Sequence, residues 1–184
     1  AFVCHMVASI NDKGRMGTVI PHGVLFRGGA EGTIRQGFIK DDLIEAVIGL
    51  PTNIFYGASI PGALLIINKR KPKERQGKVI FIDASQGFVK DGNKNRLREE
   101  DVQKIVSTFD DYKDVERYAA VVHLETIKGN EYNLNISRYV DTTEEEVEVD
   151  IAAIIKEIQA IKIKSQETEL KLNGYLKELG FEEI

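Results

Sequence analysis

Apolar residues between positions 2 and 109 follow two spacings that predict an alternation of helices and strands. Recurrence every three or four residues predicts helices over residues 2–10, 31–40 and 102–109. Short, nearly continuous apolar runs predict buried strands over residues 16–21, 43–50, 63–67 and 79–82. This order of elements is typical of an α/β sheet covered by helices on both faces.

Two local features refine this prediction. The connection between the strands over 43–50 and 63–67 is too short for a helical crossover of about a dozen residues or more. The strand over 63–67 should therefore run antiparallel to its neighbour, and residues 14–82 should form adjacent strands of one sheet. Arg98 precedes the third helix where Ser or Thr is preferred, which predicts a weakly capped helix start.

The C-terminal segment carries a heptad-like seam. Seven of its nine positions are apolar: Ile151, Ile154, Ile158, Ile161, Ser165, Thr168, Leu172, Tyr175 and Leu179. The two polar positions leave open whether the segment is one helix, a bent helix or two shorter helices. The seam fits a surface that docks another subunit, through Ile154, Ile158, Ile161 and Leu172, and equally a helix packed on its own domain. We predict a domain over 1–141 and a helical tail over 142–184, with residues 142–148 as the linker between them.

Composition narrows the class of protein. Hydrophobic residues make up 42% of the 184 positions, enough for one sizeable core. The single cysteine, Cys4, excludes an internal disulfide framework, and no apolar run approaches the ~20 residues of a membrane span. We therefore expect a soluble, cytoplasmic protein. The sequence begins without methionine and inside an apolar pattern, and we interpret it as a fragment.

The net charge of -4 conceals a strong asymmetry along the chain. Residues 69–98 hold ten basic and three acidic side chains, whereas residues 99–150 hold five basic and fifteen acidic ones. The run Lys69-Arg70-Lys71 is a candidate contact for the phosphates of DNA, because such contacts are electrostatic. A solvated connection between two strands explains the same run at least as well.

Catalytic and metal-binding patterns are absent from the sequence. The three histidines, His5, His22 and His123, lack the spacing of a metal site. His22 follows a predicted strand, where α/β proteins place their sites, although its spacing alone favours a turn histidine without a chemical role. Asp83 also ends a predicted strand and could simply cap the following turn.

Two adjacent aromatic residues, Phe55 and Tyr56, lie in the short connection between two predicted strands. They could fold back onto the core, or they could form a platform on which a base removed from a duplex stacks. Because neighbours in an extended loop point to opposite sides, one of the two side chains can serve each role.

Five stretches, in this order, resemble the modification subunit of type I restriction–modification systems. They are residues 14–32, 47–57, 60–61, 81–85 and 132–140. Together they span nearly the whole chain up to residue 141, and the tail matches by its helical character alone. The family transfers a methyl group from S-adenosylmethionine to N6 of adenine in DNA. It acts in a complex with a specificity subunit and a restriction subunit.

The resemblance implies which part of such an enzyme this chain supplies. The family's cofactor-binding glycine loop and its Asn-Pro-Pro-aromatic motif do not occur in this sequence. We therefore expect the C-terminal part of a Rossmann-like methyltransferase sheet followed by a helical tail. This chain alone should bind no S-adenosylmethionine and methylate no DNA, and its open sheet edge should favour self-association.

The resemblance also places the candidate site. The loop that contains Phe55 and Tyr56 corresponds to the loop that supplies an aromatic platform for the flipped adenine, with Phe55 the favoured residue of the pair. Pro21 and His22 are predicted to line the same pocket. The alternative is a non-catalytic module that binds the specificity subunit through residues 147–181.

Overall fold

The computed structural model describes residues 1–142 and 151–178. Contacts divide the chain into two units, Ala1–Thr143 and Glu144–Ile184. The linker expected over residues 142–148 lies almost entirely outside the described residues.

The described part of the first unit contains seven strands and four helices. The strands are β1 (Arg15–Pro21), β2 (Ile44–Gly49), β3 (Gly62–Asn68), β4 (Lys78–Asp83), β5 (Val89–Asp91), β6 (Lys94–Arg96) and β7 (Ala119–His123). The helices are α1 (Phe2–Ser9), α2 (Gly29–Lys40), α3 (Glu99–Asp111) and α4 (Leu124–Gly129). Short 3-10 turns lie at His22–Leu25, Lys73–Arg75 and Ile136–Arg138. All three helices and all four strands expected from the sequence are confirmed, whereas β5, β6, β7 and α4 escaped the periodicity analysis.

Five strands form one mixed sheet in the order β1-β3-β2-β4-β7. β3 pairs antiparallel with both β1 and β2, and β2 pairs parallel with β4. This confirms the inserted antiparallel strand that the short connection predicts. Because β1, β2 and β4 run in the same direction, they end at the same side of the sheet, which we call the carboxyl edge.

Both faces of the sheet carry apolar side chains, as the continuous apolar runs predict. Every residue of β2 is buried. One face packs against α1, α2, α4 and the turn at Ile136–Arg138, through side chains that include Met6, Phe38, Ile39, Ile127 and Ile136. The other face packs against α3 through Ile105 and Phe109. The parallel pair β2–β4 thus lies in the middle of a two-sided core, where parallel strands are normally found.

The start of α3 is better capped than the sequence suggests. The Asp101 carboxylate accepts the backbone N–H of Arg98 at 2.9 Å, which is one half of a capping box. It also accepts two hydrogen bonds from the Arg98 guanidinium, each 2.9 Å long. These hydrogen bonds from Arg98 lower the pKa of Asp101 below its ordinary value. The expectation of a weak cap at Arg98 is therefore wrong, because the cap comes from the third residue of the helix.

A buried carboxylate joins the strands at the side of the sheet opposite the carboxyl edge. Glu45 has no exposed surface and lies where the pairing of β2 with β3 shifts register between Ile44 and Ala46. Its carboxylate accepts hydrogen bonds from Arg15 of β1 and Arg75, both at 3.1 Å, and from Asn68 of β3 at 3.0 Å. A buried charge is tolerated only when it is paired and hydrogen-bonded in this way.

The second unit contains one long helix, α5 (Ile151–Glu178). It continues through Ser165 and Thr168, and the Thr168 hydroxyl donates to the Lys164 carbonyl within the helix at 2.7 Å. The alternative of two shorter helices is therefore wrong. The described seam residues Ile158, Ile161 and Leu172 are exposed. The side chains of Ile154 and Leu179 lie outside those described. None of the described helices is long and apolar enough to cross a membrane.

Glu45→Gln should lower the free energy of unfolding by about 2–4 kcal/mol, because it leaves two arginines without their buried counter-charge. Urea denaturation of this chain measures the change. The control is Glu125→Gln, whose side chain is 87% exposed and should shift stability by no more than about 0.5 kcal/mol. Equal effects of the two changes would show that Glu45 does not hold the strands together.

Candidate functional site

The carboxyl edge brings together the ends of β1 and β2 and the start of β3. Pro21, the last residue of β1, pairs with Gly62, the first residue of β3. The backbone N–H of His22 donates to the Pro61 carbonyl at 3.3 Å, and that of Leu50 donates to the Gly62 carbonyl at 3.0 Å. The connection from β2 to β3 is thus fixed at both ends, beside Pro21 and His22.

A tight turn at the tip of this connection presents the two aromatic residues. The backbone N–H of Ala58 donates to the Phe55 carbonyl at 3.4 Å, and the two residues form an isolated β-bridge. Gly57 has a φ of +73°. A positive φ at the third residue of a four-residue turn is the mark of a type II turn, which strongly favours glycine. We call residues 55–58 the aromatic turn.

The two aromatic side chains have different surroundings. A ring carbon of Phe55 lies 3.1 Å from where a Cβ on Gly62 would be, so the Phe55 ring packs closely against the backbone at the start of β3. Phe55 is 39% exposed, whereas Tyr56 is 92% exposed. Phe55 therefore rests on the sheet, and Tyr56 projects from the tip of the turn.

A hairpin formed by β5 and β6 supports the same loop. Its turn contains Gly92, with a φ of +61°. The backbone N–H of Asn95 donates to the Asn53 carbonyl at 3.1 Å, and the Asn95 side-chain amide donates to the Thr52 carbonyl at 2.8 Å. On the adjacent residue, the Lys94 ammonium lies 3.1 Å from the centre of the Tyr56 ring. The sequence analysis missed this contact, although two residues such as Gly92-Asn93 between short strands are a recognised signal for a hairpin.

Arg35 of α2 holds the backbone that follows β1. Its guanidinium is buried and donates to the carbonyls of Val24, Arg27 and Tyr132, each at 2.9 Å. Burial lowers the pKa of Arg35, and the nearby Glu31 carboxylate opposes that effect. This residue also escaped the sequence analysis, because a single arginine on a helix carries no distinguishing pattern. It fixes the segment in which the His22 and Phe26 rings meet edge to face, with centroids 5.8 Å apart.

The end of β4 forms a polar wall of the carboxyl edge. The Asp83 carboxylate accepts the backbone N–H of Ser85 at 3.0 Å, so it caps the turn as one of its two interpretations predicts. A cavity of about 430 Å³ next to it is lined by charged and polar side chains, including Asp83, Asp101, Lys104 and Tyr118. Burial, together with the charges of Asp101 and Asp83, raises the pKa of Tyr118 to about 12.

The basic run lies at the other side of the sheet. Lys69, Arg70 and Lys71 follow the end of β3, which is separated from its start by about 20 Å of strand. The prediction that Lys71 contacts DNA is wrong, because its buried ammonium forms an ion pair with Asp42 and donates to the Lys78 carbonyl at 2.8 Å. Lys69 donates to the Ile10 carbonyl at 2.8 Å, and Arg70 is exposed.

Metal ions are held by clustered His, Cys, Asp or Glu side chains, and nucleotide-like cofactors by glycine loops. Within the described residues, no group of three or more His, Cys, Asp or Glu side chains could hold a metal ion. The glycines at the start of α2, Gly28, Gly29 and Gly32, follow a 3-10 turn instead of a strand. They therefore lack the strand–loop–helix arrangement in which a glycine loop holds a nucleotide-like cofactor.

Comparison with known proteins gives consistent matches. Residues 1–148 match the family model described as N-6 DNA Methylase. The chain is 42% identical over 169 residues to the type I restriction enzyme MjaVIII methylase subunit of Methanocaldococcus jannaschii, a match that covers 90% of this chain and 29% of that protein. It is 31% identical over 179 residues to the type I restriction enzyme MpnII methylase subunit of Mycoplasma pneumoniae, covering 97% of this chain and 33% of that protein. The chain thus spans only 29–33% of the length of these two relatives.

Solved structures share the fold. A type I restriction–modification methyltransferase subunit from Streptococcus thermophilus matches with a TM-score of 0.72 and 42% identity, over 76% of this chain and 30% of that one. The M protein of type I restriction enzyme EcoKI matches in fold, with a TM-score of 0.60 and 20% identity, over 97% of this chain and 44% of that one. The mixed sheet is therefore of the Rossmann-like methyltransferase type, as the sequence predicts.

Gly57→Ala should destabilise the aromatic turn by about 1 kcal/mol, because a side chain at positive φ is strained. Hydrogen exchange measures this as roughly fivefold faster exchange at the Ala58 amide, with slowly exchanging core amides unchanged. The matched control is Gly129→Ala, where a Cβ would meet no atom within 4 Å and φ is not positive. If both variants exchange like the wild type at Ala58, the type II turn is not the conformation in solution.

Proposed function

Because the chain belongs to the N-6 DNA methylase family, we propose that it is the part of a type I restriction–modification methylase that completes the pocket for the target adenine. The observation that carries this proposal is the position of Tyr56. It projects, 92% exposed, from a turn at the carboxyl edge, where open α/β sheets bind their ligands.

Chemistry on a base requires the base to leave the duplex stack. Extrusion of the base costs a few kcal/mol of free energy, and stacking on an aromatic side chain stabilises the extruded base by about 1–3 kcal/mol. The Tyr56 ring supplies such a stacking surface, while Pro21 and His22 stand beside the loop that bears it. The proposed pocket thus has one wall from the aromatic turn and one from the end of β1.

The contacts of the two aromatic residues support a division of roles. The family resemblance favours Phe55 as the stacking residue, but its ring packs on the backbone at Gly62. We therefore assign Phe55 the anchoring of the loop and Tyr56 the contact with adenine. Moving Phe55 outward to meet a base would remove the packing that fixes the turn.

The methyl group would come from S-adenosylmethionine in the full-length enzyme. The glycines at the start of α2 do not fit such a cofactor, so no step through it is derived from this chain. We propose that residues outside this sequence hold the cofactor and the exocyclic amine of adenine. The chain by itself would then bind no cofactor and transfer no methyl group.

The helix α5 is proposed to dock the specificity subunit, with the restriction subunit joining the same complex. Ile158 and Ile161 are 51% and 64% exposed, and Leu172 is 44% exposed. Apolar side chains outside the seam, Ile155 and Leu170, are exposed as well. A helix that is apolar on more than one side needs partners around it, as inside a helical bundle. The same observation favours the second candidate function, a subunit fragment that only binds the specificity subunit.

Tyr56→Ala in the full-length subunit, assembled in its complex, should slow methyl transfer to DNA about tenfold or more. The change removes a stacking contact of about 1–3 kcal/mol, and 1.4 kcal/mol corresponds to a factor of ten. Incorporation of tritiated methyl groups measures the rate, and size-exclusion chromatography verifies that the complex still forms. Tyr56→Phe, which keeps the ring, is the control and should retain the normal rate.

Phe55→Ala distinguishes the neighbours. If it slows methyl transfer at saturating DNA and Tyr56→Ala does not, the roles assigned to the two residues are reversed. If neither change alters the rate, the pair is loop packing and the proposed stacking is wrong. The non-catalytic function would then be the better account of the chain.

Ile158→Asp combined with Ile161→Asp should abolish assembly with the specificity subunit, because two charges would enter an apolar contact. The comparison variant is Gln159→Asp combined with Gln166→Asp, which places the same two charges on the side of α5 that carries Ile155 and Leu170 and should leave assembly intact if the seam alone docks the specificity subunit. Co-purification of the specificity subunit is the measurement. Normal co-purification of the first variant would exclude this seam as the docking surface.

A further inference from the structure

The β5–β6 hairpin and the aromatic turn form one connected structure. Asn95 ties the hairpin to the residues that lead into the turn, with two hydrogen bonds, of 3.1 and 2.8 Å, to the carbonyls of Asn53 and Thr52. These bonds come from a segment about 40 residues further along the chain, beyond β4. The position of the turn is therefore set by the hairpin as well as by the ends of β2 and β3.

Lys94, which precedes Asn95, makes an unusual contact. Its ammonium nitrogen lies 3.1 Å from the centre of the Tyr56 ring. The same nitrogen is buried and has no hydrogen-bond partner within the described part of the chain. In water, all three N–H groups of a lysine ammonium donate hydrogen bonds to water. The buried Lys94 ammonium has lost this hydration and instead contacts the electron-rich face of the Tyr56 ring.

The contact leaves Tyr56 with one covered face and one free face. The ammonium is small, so the other face, the ring edge and the hydroxyl stay in solvent, in agreement with the 92% exposure of the residue. A tyrosine at the tip of a turn would otherwise sample several rotamers, and ordering it on binding would reduce affinity. A cation under one face selects a single orientation before any ligand arrives.

We propose that Lys94 is a positioning residue, which holds the Tyr56 ring in place so that its free face receives the extruded adenine. This inference rests on the proposed function of Tyr56. It assigns the β5–β6 hairpin to the target-base pocket and gives Lys94 a role other than contact with a DNA phosphate. Because this ammonium is buried against the Tyr56 ring, it is not presented to a DNA phosphate.

The test uses the full-length subunit in its complex, with Lys94→Met, Lys94→Arg and, as a matched control, Lys90→Met. Lys90 is an exposed lysine of the same hairpin. Lys94→Met should slow methyl transfer at saturating DNA about 3- to 30-fold, the range set by a cation–π contact of about 0.5–2 kcal/mol. Lys94→Arg keeps a cation that stacks on aromatic rings and should restore the rate to within about twofold. Lys90→Met should match the wild type.

The decisive measurement places Lys94→Met in the Tyr56→Ala background. If Lys94 acts only through the ring, the double variant should be no slower than Tyr56→Ala alone. Fluorescence of 2-aminopurine at the target position gives a second readout, since a less ordered ring should quench the extruded base less in Lys94→Met. Lys94→Gln replaces Lys94→Met should the latter fail to assemble.

Each alternative outcome identifies what is wrong. If Tyr56→Ala has no effect, the proposed function fails, and this inference fails with it. If Tyr56→Ala slows methyl transfer and Lys94→Met does not, only this inference is overturned. Lys94→Met could also slow methyl transfer by the same factor in the wild-type and Tyr56→Ala backgrounds and weaken the salt dependence of DNA binding. That result would identify Lys94 as a phosphate contact instead.

Discussion

The fold depends on one buried carboxylate. Glu45 sits at the register shift of β2 and receives hydrogen bonds from β1, from β3 and from Arg75. An ionised carboxylate inside a protein is stable only with such partners, so the three strands can occupy one relative register and no other. A slip by one residue would turn every apolar side chain of β3 to the opposite face. The register fixed at Glu45 also sets the relative positions of the strand ends at the carboxyl edge, one strand length away.

The candidate site combines that rigid frame with two short loops. Pro21 and Gly62 belong to paired strands, so their separation is set by the sheet. The loop over residues 50–61 and the β5–β6 hairpin lie outside the sheet and contact each other through Asn95 and Lys94. The frame supplies position, and the pair of loops supplies the surface that a ligand would meet. This arrangement suits the proposed pocket, which would have to accept a base and release it again.

Much of the fold could be predicted from the sequence, because long apolar runs and a short connection leave few alternatives for β1 to β4. The hairpin was missed because β5 and β6 are three residues long and mostly charged, which gives no period to detect. Lys71 was misassigned because a sequence does not show that its ammonium meets Asp42 inside the protein. The choice between Phe55 and Tyr56 was equally out of reach. The roles proposed for the two residues rest on the packing of Phe55 at Gly62 and on a lysine from a distant segment, which no local pattern links to the pair.

The inserted strand β3 also bears on how the chain folds. Its pairing with β2 closes only the loop at residues 50–61, whereas its pairing with β1 closes a loop more than three times longer. The entropy lost on closing a loop grows with its length, so the β2–β3 pair has the lower kinetic barrier. The aromatic turn is therefore formed with the earliest long-range contact of the sheet. The contacts of the β5–β6 hairpin with this loop span about 40 residues, so they close a longer loop than the β2–β3 pair does. The turn at the carboxyl edge is therefore expected to take shape before the contacts that join it to the hairpin.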